Sequence, residues 1–103
     1  MRAGIHYDAL SLILSIIPPM NRRKLLKKAL AGANNLRFAE LTALAEGFGF
    51  RLARVSGSHH IFSRPGIPEL LNLQTVGGQA KPYQVRQMLR LVERYNLNLD
   101  EAP

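Results

Sequence analysis

Apolar residues along this chain follow two rhythms, and the rhythms predict its elements. After Asn21, a capping residue, Leu25, Leu26, Ala29 and Leu30 share one helical face while Arg22, Arg23, Lys24, Lys27 and Lys28 fill the rest. Gly32 and Asn34-Asn35 break that pattern. Over residues 36–48, Phe38, Leu41, Leu44, Ala45 and Phe48 recur at three and four residues, the spacing of one apolar stripe on a helix, and Gly47 and Gly49 bracket its end. The period then shortens. Residues 50–55 (FRLARV), 60–63 (HIFS) and 70–76 (LLNLQTV) read as strands bounded by Gly, Ser or Pro. Ser56-Gly57-Ser58 is the tight turn between the first two, and residues 64–68 (RPGIP) form a longer one before the third. With Pro82 in its first turn, residues 83–95 return to the helical period, lining Val85, Met88, Leu89, Val92 and Tyr95 along one face. On another face Arg86, Arg90 and Arg94 form a guanidinium stripe, with Glu93 spaced to pair with Arg90.

A helix, three antiparallel strands and a helix, preceded by a short basic helix, predict an α+β two-layer domain with helices on one side of the sheet. We place it at residues 20–103. Residues 1–19 are set apart as an extension whose apolar run, residues 9–17 (ALSLILSII), is closed by Pro18-Pro19. The run falls below the roughly twenty apolar residues of a membrane span, and no small-x-small cleavage site follows it. Three readings stand for this run: a core-packing helix, a weak interfacial anchor, or an extension upstream of a natural start at Met20, which Met20-Asn21-Arg22-Arg23-Lys24 favours; the lone His6 is read as structural or solvated. No membrane is expected as a partner.

Charge then narrows the partners. The 103-residue chain carries 14 Lys and Arg against 7 Asp and Glu, a formal +7, which favours a polyanion over an acid-poor ligand. The absence of cysteine removes disulfides, thiolate catalysis and cysteine zinc sites together, and suits a reducing cytoplasm. No cofactor is expected.

His59 and His60 are the candidates for chemistry. Cleaving RNA without a metal needs a base for the 2′-hydroxyl proton, an acid for the leaving 5′-oxygen and cations for the charged phosphorane. Imidazole, with a reference pKa of about 6.5, serves either proton transfer. Arg51, Arg54, Arg64 and Lys81 flank the histidine turn, and the Gly57 and Ser58 backbone amides offer a cradle for a phosphate. On an extended strand the two histidines face opposite ways, so one site takes one of them. They make a poor zinc pair, having no acidic residue or third histidine at useful spacing.

At these residues the chain resembles the HicA family of toxins. The likeness runs through Gly47-Phe48-Gly49-Phe50, Gly57-Ser58-His59-His60-Ile61-Phe62, Leu71-Asn72-Leu73-Gln74 and Gly77-Gly78-Gln79-Ala80-Lys81-Pro82-Tyr83, over about residues 36–97. It differs from many members in its N-terminal region and in Thr75-Val76-Gly77-Gly78, where others carry a Val-Pro-(Arg/His) strand end. The resemblance implies a double-stranded-RNA-binding-like α-β-β-β-α fold, an endoribonuclease acting on messenger RNA, and a HicB-type antitoxin that occludes the site. It selects His59 as the catalytic residue, with His60 as fallback. Gly57, Ser58, Arg54, Arg64, Lys81 and Arg86 are the residues expected on RNA. The alternative of another class is an RNA-binding module of the same fold without turnover. A DNA-binding transcriptional partner is the weaker third reading, since no helix-turn-helix pattern surrounds the arginine stripe.

Overall fold

The computed structural model describes residues 21–32 and 34–100. The expectations for residues 1–19, for a start at Met20 and for His6 fall outside them. Helix α1 spans Arg22–Ala31, α2 Phe38–Gly47 and α3 Pro82–Arg94; between the last two lie strands β1 (Arg51–Ser56), β2 (His59–Arg64) and β3 (Ile67–Gln74). This is the expected α-β-β-β-α order behind one additional basic helix. The sheet is antiparallel in the order β1-β2-β3.

Local chemistry sets each boundary. Asn21 Oδ1 accepts from the Lys24 backbone N–H at 3.0 Å and so starts α1. Helix α2 starts through Glu40, whose carboxylate accepts from the Arg37 N–H at 2.8 Å, and through the Gly78 carbonyl, which accepts from Phe38 N at 2.9 Å. Lys28 Nζ lies 3.2 Å from the same carboxylate and ties α1 to α2. Helix α3 opens with Pro82 in its first turn, where no donor is lost.

Most boundaries differ from the sequence expectation by a residue or two, and the start of β3 differs by more. Strand β3 begins at Ile67, three residues earlier than expected, because Arg64 pairs with Ile67 across a two-residue Pro65-Gly66 turn. Pro68 therefore lies within a strand; it is tolerated there because β3 is an edge strand. Likewise, His59 belongs to β2 instead of preceding it. On α3 the ion pair that forms is Arg94–Glu69, at 2.6 Å, in place of the expected Glu93–Arg90 pair. Glu69, on β3, also accepts from the Tyr95 hydroxyl at 2.6 Å and so anchors the end of the helix to the sheet.

The core lies between the sheet and the helices. Phe62, Leu71 and Leu73 from the sheet meet Leu41, Leu44, Ala45, Phe48 and Phe50 around α2, and Val85, Met88 and Leu91 from α3. Alternation along β3 sends Ile67, Leu71 and Leu73 inward while Asn72 stays exposed. Strand β1 is different, being exposed at all six positions. The helices do not reach it, so Leu52 and Val55 remain about half exposed, at 49% and 51%.

Two carboxylates make the fold acid-sensitive. Glu40 is held below the ordinary glutamate value of 4.5, first by the Arg37 backbone N–H and also by Lys28. Glu69 is held low first by the Tyr95 hydroxyl and also by Arg94. A group whose folded pKa is depressed contributes stability that is fully present above its unfolded value and lost as pH falls through the folded one. The melting temperature should therefore begin to fall as pH drops below 4.5, the ordinary glutamate value. The double variant Glu40→Gln, Glu69→Gln should lose less on acidification than the parent. Equal acid sensitivity in melts across this window would refute the assignment.

Candidate active site

The two-residue turn Gly57-Ser58 joins β1 to β2, with Ser56 and His59 paired on either side of it. Gly57 has φ +60°, which a two-residue hairpin demands of glycine at its first central position. Ser58 is tied down from three sides. Its carbonyl accepts from Thr75 N at 3.1 Å and lies 3.3 Å from His60 Nδ1, and its hydroxyl accepts from Gln74 Nε2 at 3.2 Å.

Strand register sorts the surrounding residues onto two faces. The rows Ser56, His59, Gln74 and Arg54, Ile61, Asn72 run across the open face. The rows Val55, His60, Leu73 and Leu52, Phe62, Leu71 run across the helix side. The two histidines are thus separated as alternation predicts.

On the helix side, the His60 ring meets Phe38 edge-on, with centroids 4.9 Å apart and an interplanar angle of 63°. Half-buried, it serves as a wedge between β2 and α2. On the open side His59 is exposed, and its Nδ1 lies 3.1 Å from Asn72 Oδ1. An amide oxygen only accepts, so this contact is a hydrogen bond in the tautomer that carries its proton on Nδ1. Nε2 is then the nitrogen left to exchange one with a ligand.

The expected RNA-facing cations are divided among three places. Arg54 is exposed in the open-face row next to that of His59. Arg64 turns the other way: its Nε donates to the Phe48 carbonyl at 2.8 Å and its Nη1 to the Pro65 carbonyl at 3.2 Å. Arg51 does the same at the Glu46 and Phe50 carbonyls, at 3.2 and 2.9 Å. Together these two guanidinium groups bind the carbonyls at the end of α2, where cations are favoured. Gly49 allows it, since a Cβ there would sit 2.7 Å from Arg64 Nε. Lys81 and Arg86 belong to α3, at its N-cap and first turns, in the helical layer rather than on the open face.

Two polar residues lay outside the sequence expectation, one of them, Asn72, at the site. Asn72 had alternation as its signal, standing as an exposed polar residue between two buried leucines. Gln84, buried at 2% exposure in α3, had none; its Nε2 donates to the Tyr83 hydroxyl at 3.3 Å. Among the described residues no three His, Asp, Glu or Cys side chains gather as metal ligands, and no helix is long and apolar enough to cross a membrane.

The family model described as the HicA toxin of bacterial toxin-antitoxin systems matches residues 38–93, just over half of the chain. The matched stretch runs from the first turn of α2 almost to the end of α3 and contains the whole sheet. No curated protein matches the chain.

Proposed function

Since the chain belongs to the HicA family of bacterial toxin–antitoxin toxins, we propose that it is a metal-independent endoribonuclease that cleaves messenger RNA, with His59 as general base or acid. Membership implies a cognate antitoxin as partner. The observation that carries the catalytic reading is the His59 imidazole, exposed on the open sheet face and engaged at Nδ1 by Asn72 at 3.1 Å.

In the forward step the ribose 2′-oxygen attacks the adjacent phosphorus while its proton passes to a base. The bond to the 5′-oxygen breaks, and that oxygen takes up a proton. The products are a 2′,3′-cyclic phosphate and a 5′-hydroxyl. His59 Nε2 performs one of the two transfers and solvent the other. Arg54, in the neighbouring row, supplies positive charge beside the phosphate, and Gly57 with Ser58 shapes its approach. Lys81 and Arg86 hold flanking backbone from the helical layer, and Arg64 keeps the α2–β1 corner rigid beneath the sheet. A HicB-type antitoxin would silence the protein by covering the open face. A messenger-RNA substrate and an antitoxin partner of this kind support a cytoplasmic location.

The test is direct. The purified chain is incubated with RNA in excess chelator and the product ends are mapped. Cyclic phosphate ends and loss of cutting on 2′-deoxy substitution at the cleavage position are expected. Cleavage that appears only with added divalent metal would overturn the mechanism. Salt-sensitive RNA binding without any product would instead establish the non-catalytic module.

A further inference from the structure

We infer that Asn72 is a positioning residue, one that sets the tautomer and ring orientation of His59; the inference rests on the proposed catalytic role of that histidine. Asn72 pairs with Ile61, two residues along β2 from His59, so its amide meets the imidazole diagonally across the strands. The 3.1 Å contact places the amide oxygen on Nδ1. Because that oxygen has no proton to give, the ring keeps its Nδ1 proton in both its neutral and its charged form. Proton exchange is thereby confined to Nε2.

The support beneath this contact is rigid. Leu71 and Leu73, on either side of Asn72, are fully buried at 0% exposure, which fixes the backbone from which the amide projects. The next outward residue of β3, Gln74, holds the Ser58 hydroxyl at 3.2 Å, and Thr75 N holds the Ser58 carbonyl at 3.1 Å. Alternate residues of one strand thus grip the turn and the ring that follows it. An amide also differs from a carboxylate in the same place, since it orients the imidazole without adding a full negative charge that favours the imidazolium. A group that must take a proton at one moment and return it at the next benefits from orientation without that bias.

The experiment compares the full-length chain with Asn72→Leu, Asn72→Asp and Gln74→Leu, each first checked for a native-like amide fingerprint. Asn72 and its ring partner are both exposed, so the two Asn72 variants change no buried packing, and Gln74 is only partly buried. Long-range proton–nitrogen spectra of the His59 ring report the tautomer without any need for activity. The parent and Gln74→Leu should show the Nδ1–H form, and Asn72→Leu should shift toward Nε2–H. In RNA cleavage Asn72→Leu should lower kcat roughly tenfold to a hundredfold with KM little changed. Asn72→Asp should keep the tautomer and move the pH–rate profile upward by about 1 unit or more. A parent ring in the Nε2–H form overturns the inference, as does a tautomer indifferent to Asn72→Leu or equally altered by Gln74→Leu. The two readings fail separately: cleavage that survives loss of the His59 imidazole sinks the catalytic role and leaves the spectra standing. An inactive His59 variant beside an unmoved tautomer in Asn72→Leu sinks only the positioning role.

Discussion

Replacing His59 by alanine is expected to reduce RNA cleavage by about 10²- to 10⁴-fold, the range that one positioned proton-transfer group supplies. The melting temperature should hardly change. His59 is exposed and its one described side-chain contact is the hydrogen bond to Asn72, so its loss leaves no cavity and no buried unpaired group. His60→Ala is the matched control. That ring packs on Phe38, and its removal should cost stability on the order of 1 kcal/mol while sparing most of the activity. Growth arrest on induced expression and cleavage in vitro both report the outcome. Undiminished cleavage by His59→Ala, or a greater loss from His60→Ala at matched folded fraction, would reverse the assignment.

The second large effect concerns the fold alone. Phe50→Ala should destabilise the protein by about 3–5 kcal/mol, from lost transfer energy and the cavity left behind. Phe50 is at 0% exposure, in the same cluster as Phe62 and Leu71 from the sheet and Leu44 and Ala45 from α2. A domain of this size has about 5–15 kcal/mol in total, so the change removes a large share and should lower the melting temperature by more than about 10 °C. Urea unfolding monitored by circular dichroism measures it. A loss below about 1 kcal/mol would mean that the corner between α2 and β1 is loosely packed. Contrasting the two variants separates chemistry from scaffold: one should be stable and inactive, the other unstable and active while folded.

The elements were legible because their apolar periods are clean. Leu41, Leu44, Ala45 and Phe48 at helical spacing, and Leu71 and Leu73 at strand spacing, carry local information that survives folding. The β3 start was less so. Pro68 argues against a strand unless the strand is known to lie at an edge, and edge position is a property of the sheet, not of the segment. The separation of His59 from His60 followed from alternation alone. The assignment of individual arginines did not follow from anything local. Arg64 meets the Phe48 carbonyl 16 residues away, and Arg51 reaches back to Glu46. Charge in a sequence says nothing of such reach. The grip of Asn72 on His59 depends likewise on the register of β2 against β3, which the Pro65-Gly66 turn and the irregularity between Phe62 and Arg64 fix together.

Strand β1 has a consequence for how the molecule behaves in a crowd. It leaves one edge of the sheet unpaired, and with Leu52 and Val55 half exposed it has the makings of an adhesive seam. Two features blunt it. The ladder to β2 is irregular between Leu52 and Arg54, which bends the strand away from flat pairing, and each chain presents Arg51 and Arg54 along it within a formal charge of +7. Like charge keeps copies apart, but over a reach of only about 10 Å at 0.1 M salt and about 3 Å at 1 M. The protein's dispersal is therefore partly a property of its solvent. Concentrated salt removes the guard on its own edge.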